Sequence, residues 1–203
     1  MSAAAAERPG DSDPESLLET AGRLAEQHPG YRVEIIGGIL SVTPPPDLPH
    51  ADVLTELMIP FIAAGLHGKE SKVLQGVGVW LPTGPEDYAI PDLAVTDADA
   101  GEHLVENNSY DPVVFRVVLE VTSSNYNQDL RTKVAAYADA DIPVYVIVNR
   151  KHMRVHVLTG PIASDYANHE VYAPGQQVTL PASIGAEVTL DVAAILKAGK
   201  PDA

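Results

Sequence analysis

The chain has 203 residues, 45% of them hydrophobic, and this length is typical of one domain with its own core. Its formal net charge of −15 argues against a protein whose whole surface binds nucleic acid, although a small basic groove remains compatible with it. The chain has no cysteine, which excludes disulfides and thiolate metal sites.

The N-terminal segment is rich in Ala, Ser, Asp and Pro, so we expect a disordered leader at 1–13 and a single domain over 14–203. It lacks the basic and apolar regions of a signal peptide, and no apolar run approaches the roughly 20 residues that cross a bilayer. We therefore expect a cytoplasmic protein without a membrane partner. A first helix is predicted from the end of the leader, capped by Ser12 or Asp13.

The middle of the chain alternates between strand and helix patterns. Residues 31–44 predict a β-hairpin that turns at Gly37 and Gly38, followed by a helix at 50–68. The remaining pattern predicts, in chain order, strands at 72–84 and 88–97, a polar loop at 98–112, a strand at 113–122, a helix at 127–140, strands at 144–149 and 153–160, and two short strands with a closing helix within 169–197. This order favours an α+β, or mixed α/β, fold around one mixed sheet flanked by helices.

Three carboxylates interrupt segments that otherwise resemble buried strands. Glu34 lies between Val33 and Ile35, Asp92 follows a proline at the start of a strand, and Glu120 stands within an apolar run. Each by itself is compatible with the wet face of a sheet. Three together repel one another, and a divalent cation or a lysine is the usual compensation.

Lys133 is the candidate lysine, on the predicted helix that follows the strand of Glu120. Asp129, Lys133 and Tyr137 are spaced four residues apart and share one face of that helix. One reading is an ordinary surface ion pair between Asp129 and Lys133, with Tyr137 a packing residue. The other places Lys133 beside Glu120, with Tyr137 donating to a carboxylate or a phosphate.

Carboxylates and a lysine in one site indicate phosphodiester hydrolysis. Oxygen ligands suit Mg²⁺ or Mn²⁺, which polarises a phosphate and activates water. A lysine stabilises the charge that develops on the phosphoryl group. We therefore predict that Asp92 and Glu120 bind the metal, that Glu34 assists as a ligand or by orienting water, and that Lys133 acts on the transition state.

Five segments together resemble the Uma2-like proteins, a bacterial group within the PD-(D/E)xK nuclease superfamily whose proposed activity is that of restriction endonucleases. The segments are YRVEIIGGILSVTPPP, LPHADVLTEL, IPDLAV, VVLEVTSSN and DLRTKVAAYADADIPVYVIVN. The resemblance implies a restriction-endonuclease-like core. It also implies that the lysine, which the superfamily places at the position of Thr122, is here Lys133. Asn149 stands where the group has an aspartate, and His50 either faces the site or caps its helix.

The expected function is a Mg²⁺- or Mn²⁺-dependent endonuclease that acts on nucleic acid, with DNA preferred, and works as a homodimer. The alternative is a non-catalytic binding or regulatory module that keeps a nuclease-like fold. The acidic charge and the scarcity of Lys and Arg favour this alternative.

Overall fold

The computed structural model describes residues 15–122 and 131–200, which hold fourteen strands and four α-helices. The strands in chain order are β1 (Arg32–Ile36), β2 (Ile39–Thr43), β3 (Ser71–Gln75), β4 (Gly78–Trp80), β5 (Tyr88–Ala89), β6 (Leu93–Asp97), β7 (Leu104–Glu106), β8 (Ser109–Tyr110), β9 (Phe115–Val121), β10 (Val144–Asn149), β11 (Arg154–Ile162), β12 (Asp165–Tyr172), β13 (Gln177–Leu180) and β14 (Val188–Asp191). The helices are α1 (Leu17–Gln27), α2 (Leu48–Ala63), α3 (Lys133–Asp139) and α4 (Val192–Ala198).

A six-stranded sheet in the order β12-β11-β10-β9-β6-β3 forms the centre of the protein. Its middle strands, β9 and β10, are parallel and almost wholly buried, whereas the other pairs are antiparallel. Strands covered on both faces read as continuous apolar runs, which explains the sequences of β9 and β10. One face packs against α2, α4 and the two-stranded sheet β13-β14, and the other packs against α3.

Side-chain alternation in β9 determines where its carboxylate points. Val117, Leu119 and Val121 belong to the cluster beneath α2 and α4. Val118 belongs to the cluster that includes α3. Glu120 is two residues after Val118 and therefore lies on the same face of the strand. Glu120 therefore points to the face that α3 covers.

A second six-stranded sheet, in the order β2-β1-β5-β4-β8-β7, carries α1 on one face. Val33 and Ile35 of β1 pack with Ala21 of α1. Arg32 and Glu34 alternate with these two residues along β1 and consequently point to the opposite face, toward the interior. The chain passes from this sheet to the central one between β5 and β6, and Asp92 lies at that crossing.

The β1-β2 hairpin turns at Gly37 and Gly38, both with positive φ, as predicted. The buried carboxylate of Asp87 holds this turn from outside the hairpin. It accepts hydrogen bonds from Gly37 N at 2.6 Å, Gly38 N at 3.1 Å and Thr83 Oγ1 at 2.6 Å. Asp87 therefore fixes the end of the strand that carries Glu34.

The predicted α+β class is confirmed, but the strands form two large sheets and a small one, where a single sheet was expected. The predicted polar loop at 98–112 contains the short hairpin β7-β8. Its first strand has only three residues, all of them exposed, which is too few to show the alternation of a half-buried strand. The helical cap was also misassigned: Ser16 caps α1 in a capping box with Glu19, where Ser12 or Asp13 was predicted.

The leader predicted at 1–13, and the first residues of the helix predicted at 127–140, lie outside the described residues. No described helix is long and apolar enough to span a bilayer.

Candidate functional site

Glu34, Glu120 and Lys133 meet in the interior, where the two large sheets face each other. Lys133 Nζ lies 2.7 Å from Glu120 Oε1 and 2.9 Å from Glu34 Oε1. All three side chains are at most 4% exposed. Buried charges are stable only when paired, so the lysine compensates both carboxylates. Of the two sequence-based readings of Lys133, the structure contains the contact with Glu120.

Glu34 is held by a second donor besides the lysine. Its Oε1 accepts the backbone N–H of Ile90 at 2.7 Å. The same oxygen therefore contacts the lysine and the backbone of the segment that leads into Asp92. Glu34 thus links β1, α3 and the crossing between the sheets.

Asp92 lies beside this group and is also buried. Its Oδ2 accepts the backbone N–H of Val121 at 2.7 Å, and His50 Nε2 lies 3.3 Å from the same oxygen. Burial raises the pKa of the Asp92 carboxyl, but the contact with His50 and the positive charge of Arg32 outweigh burial and hold this pKa well below its usual range. Asp92 is therefore ionised in the folded protein.

His50 contributes through its ring and not as a helix cap. Asp47 caps α2 by accepting the backbone N–H of His50 at 2.8 Å. The imidazole is 5% exposed and lies against Asp92, but neither ring nitrogen completes a well-formed hydrogen bond. Of the two sequence-based alternatives for His50, the structure contains the placement near the site.

Tyr137 follows Lys133 by one helical turn, so both side chains reach Glu120. The hydroxyl of Tyr137 donates to Glu120 Oε1 at 2.9 Å, and its ring packs edge-on against Tyr145 at 5.0 Å between centroids. Complete burial and the charge of Glu120 raise the pKa of Tyr137 well above its ordinary value, which keeps the hydroxyl a donor. Asp129, the third member of the predicted stripe, lies outside the described residues.

Arg32 is the site residue that the sequence analysis missed. Its guanidinium contacts Asp92 Oδ1 through a short ion pair, and Nη1 lies 3.6 Å from Glu120 Oε2. Burial alone would lower the pKa of Arg32. The negative charges of Asp92, Glu120 and Glu34 outweigh burial and hold this pKa above its ordinary value. Strand alternation carried the signal, because Arg32 is two residues from Glu34 and shares its face.

The site opens into a cleft of about 730 Å³. Its rim includes Arg150, whose guanidinium pairs with both carboxylate oxygens of Asp47 at 2.9 and 3.1 Å. Lys151 and Thr122 also line it. Arg150 and Lys151 belong to the only basic cluster visible in the sequence, NRKHMR, but nothing local in the sequence places that cluster beside Glu120. The cleft gives a ligand from solvent a route to the buried carboxylates.

A family model named Uma2, with the description "Putative restriction endonuclease", matches residues 18–193. The chain belongs to the Uma2 family. The match spans both large sheets and every described site residue. The site of this Uma2 chain therefore lies within the residues that match the family model.

Among the solved structures that resemble this Uma2 chain in fold is a crystal structure of a nuclease-family protein. It is titled "Crystal structure of a putative nuclease belonging to DUF820 from Anabaena variabilis ATCC 29413". The two share 13% sequence identity with a TM-score of 0.61, over 83% of this chain and 91% of that one. At this identity the likeness concerns the fold, and it agrees with a restriction-endonuclease-like architecture. No curated protein matches the sequence.

The donors present fit a hard divalent cation, as the family would imply. Asp92 and Glu120 offer carboxylate oxygens on neighbouring elements, and Mg²⁺ commonly uses one or two carboxylates while it keeps several waters. Within residues 15–122 and 131–200, no group of three or more His, Asp and Glu side chains is arranged to hold a metal ion. Asp92 and Glu120 are the pair of carboxylates that could serve an ion that keeps several waters, and Arg32 contacts both of them.

Proposed function

We propose that this Uma2 protein is a nuclease that hydrolyses phosphodiester bonds with the help of Mg²⁺ or Mn²⁺. The observation that carries the proposal is that Glu34, Asp92, Glu120 and Lys133 all line one cleft. Family membership and the nuclease-like fold support the same class of reaction.

Asp92 and Glu120 would hold the metal ion through their outward oxygens. Val121 N anchors the other oxygen of Asp92, while Lys133 and Tyr137 anchor the other oxygen of Glu120. A bound divalent ion polarises the phosphate and lowers the pKa of a coordinated water. Each ligand therefore has one oxygen fixed by the protein and one directed toward the cation position.

Lys133 would stabilise the negative charge that develops on the phosphoryl group. Its ammonium is kept charged and oriented by Glu34 and Glu120, which it contacts at 2.9 and 2.7 Å. Because Glu34 Oε1 already accepts from Lys133 and from Ile90 N, we assign Glu34 the role of positioning the lysine. His50 would orient Asp92, and Tyr137 would orient Glu120.

The substrate would be nucleic acid, with DNA preferred. Arg150 and Lys151 line the same cleft and would contact phosphates that flank the scissile one. A homodimer in the cytoplasm would let two such clefts act on a duplex. Sedimentation velocity at micromolar concentration tests this point, and a monomer would contradict it.

The experiment is a cleavage assay on single- and double-stranded DNA and RNA, with Mg²⁺, with Mn²⁺ and with EDTA. Asp92→Asn and Lys133→Ala are each expected to lower the rate on the order of 100-fold or more. Their matched controls are Asp97→Asn, whose carboxylate pairs with Arg116, and Lys72→Ala, whose ammonium donates to the Gly68 carbonyl. Activity that survives both site substitutions, or that persists in EDTA, would refute the proposal.

A non-catalytic nucleic-acid-binding module is the second candidate. The ion pairs of Arg32 with Asp92 and Glu120 favour it, because they already compensate part of the carboxylates' negative charge without a metal. This candidate predicts binding without cleavage, and binding that Asp92→Asn leaves unchanged. Gel-shift titrations run beside the cleavage assay separate the two candidates.

A further inference from the structure

The guanidinium of Arg32 lies where a cation shared by Asp92 and Glu120 would lie. It contacts Oδ1 of Asp92, and its Nη1 is 3.6 Å from Oε2 of Glu120. The remaining oxygens of these carboxylates accept hydrogen bonds from Val121 N, Lys133 and Tyr137. Oδ1 of Asp92 and Oε2 of Glu120, which are directed at Arg32, are the oxygens that we assign to a metal ion.

The charges of the group do not favour Arg32 and a divalent ion together. Three buried carboxylates, Glu34, Asp92 and Glu120, face two cations, Arg32 and Lys133. A divalent ion added to this set would leave an excess of positive charge in a nearly dry site, where like charges repel strongly. If the guanidinium leaves as the metal enters, the group stays close to neutral.

Arg32 also has a route out of the site. It is the first residue of β1, its side chain is 24% exposed, and it lines the cleft together with Gly30 and Tyr31. Lys133, by contrast, is 3% exposed and pairs with two carboxylates. Of the two cations, Arg32 is the one that can exchange.

We propose that Arg32 is the resident counterion of the Asp92–Glu120 pair and that a divalent metal ion binds there only by displacing its guanidinium. This rests on the proposed function, because it concerns the same metal site. It adds that the protein carries its own competitor for the metal, which weakens metal affinity and keeps the two carboxylates compensated while no metal is bound.

The test is the dissociation constant for Mn²⁺ of the full chain, measured by isothermal titration calorimetry and by the electron paramagnetic resonance of free Mn²⁺. The key variant is Arg32→Met, which keeps most of the side-chain length and removes the competing charge. We expect it to bind Mn²⁺ at least about tenfold more tightly than the wild type.

Arg150→Met is the matched control, because it removes the same charge from the same cleft while leaving Asp92 and Glu120 unchanged. We expect its affinity to stay within about threefold of wild type.

Arg32→Met leaves two buried carboxylates short of a partner, so its folding is checked by thermal melts with and without Mn²⁺. We expect Mn²⁺ to raise the melting temperature of Arg32→Met more than that of the wild type. If Arg32→Met folds only when Mn²⁺ is present, this result also supports the replacement of the Arg32 charge by the metal ion.

Three outcomes would overturn the inference, and they separate it from the proposed function. If the wild type binds Mn²⁺ and Arg32→Met binds it no more tightly, Arg32 is not a competitor, while metal dependence stands. If Arg150→Met tightens binding as much as Arg32→Met, the effect is general electrostatics. If neither the wild type nor Arg32→Met binds Mn²⁺, metal dependence is overturned as well.

Discussion

Removing the ammonium of Lys133 tests whether the interior of the site depends on this charge. Lys133→Met keeps the aliphatic stem but leaves Glu34 and Glu120 buried without their shared cation. Breaking a buried ion pair by removing one partner typically costs about 3–5 kcal/mol. The loss of two ion-pair contacts favours the upper end of this range. However, Glu120 keeps its hydrogen bond from Tyr137, and Glu34 keeps its hydrogen bond from Ile90 N. We therefore expect a loss of about 3 kcal/mol, a large share of a typical total of about 5–15 kcal/mol.

Urea denaturation measures this loss, followed by the fluorescence of Trp80, the chain's single tryptophan, and by circular dichroism. Lys72→Met is the matched control, because the Lys72 ammonium is partly buried and donates to the backbone carbonyl of Gly68 at 2.8 Å. We expect the control to cost less than about 1 kcal/mol. A loss for Lys133→Met as small as that of the control would refute the argument that Lys133 is an interior counterion.

A double-mutant cycle with Glu120→Gln separates the ion pair from the packing of the lysine stem. If the charges interact as the 2.7 Å contact indicates, the double variant loses less stability than the two single losses added together. We expect a coupling of about 1–3 kcal/mol, the range for residues in direct contact. Strict additivity would contradict the pairing.

Three further predictions concern single groups. Asp87→Ala leaves the turn amides of the β1-β2 hairpin without their acceptor, and we expect a loss of about 2–4 kcal/mol in urea denaturation with a correspondingly lower melting temperature. Tyr137→Phe keeps the ring packing but removes a donor from Glu120 Oε1, so we expect a loss of about 1–2 kcal/mol, and a cost near zero would contradict the hydrogen bond. Burial and the charge of His169 lower the pKa of His156 to about 4, below the value near 6.5 expected in the unfolded chain. The neutral ring is thus favoured by folding, so its contribution is full above about pH 6.5 and is lost as the pH falls toward 4. Because the ring is half-buried, we expect about 1 kcal/mol, and His156→Gln should remove this part of the pH dependence measured between pH 7.5 and 5.

The main site residues were predictable because their positions conflict with the local pattern. A carboxylate at Glu120 within an apolar strand, and a lysine on the helix that follows, already indicated a shared interior. The contacts of Lys133 with Glu34 and Glu120 have the physical origin that was argued, since buried charges need partners. His50 and Tyr137 also lie against the carboxylates. The part that each of these site residues takes in catalysis stays a prediction.

Arg32 was not predicted although it shares a strand face with Glu34, because a charge at its position is not unusual by itself. A charged residue at the first position of a strand usually points to solvent, and its partners, Asp92 and Glu120, are 60 and 88 positions away in the sequence. The division into two large sheets escaped prediction for a similar reason. The crossing at Asp92 reads as one strand in the sequence, because β5 has only two residues and runs almost directly into β6.

The acidic chain and a nucleic-acid substrate become compatible when charge is considered locally. Among the described residues that line the cleft, four are basic and four are acidic, so their formal charges cancel, whereas the whole chain carries −15. The basic ones are Arg32, Lys133, Arg150 and Lys151. A divalent ion would make this lining positive, while the rest of the surface would continue to repel a phosphate backbone. Nucleic-acid binding should therefore depend on the metal, and its affinity should fall only shallowly with salt, because few phosphates are contacted. A titration of labelled duplex with the Lys133→Ala protein, which we expect to cleave slowly, with and without Mn²⁺ at several salt concentrations, measures both. Strong metal-free binding with a steep salt dependence would place the nucleic-acid surface elsewhere on the molecule.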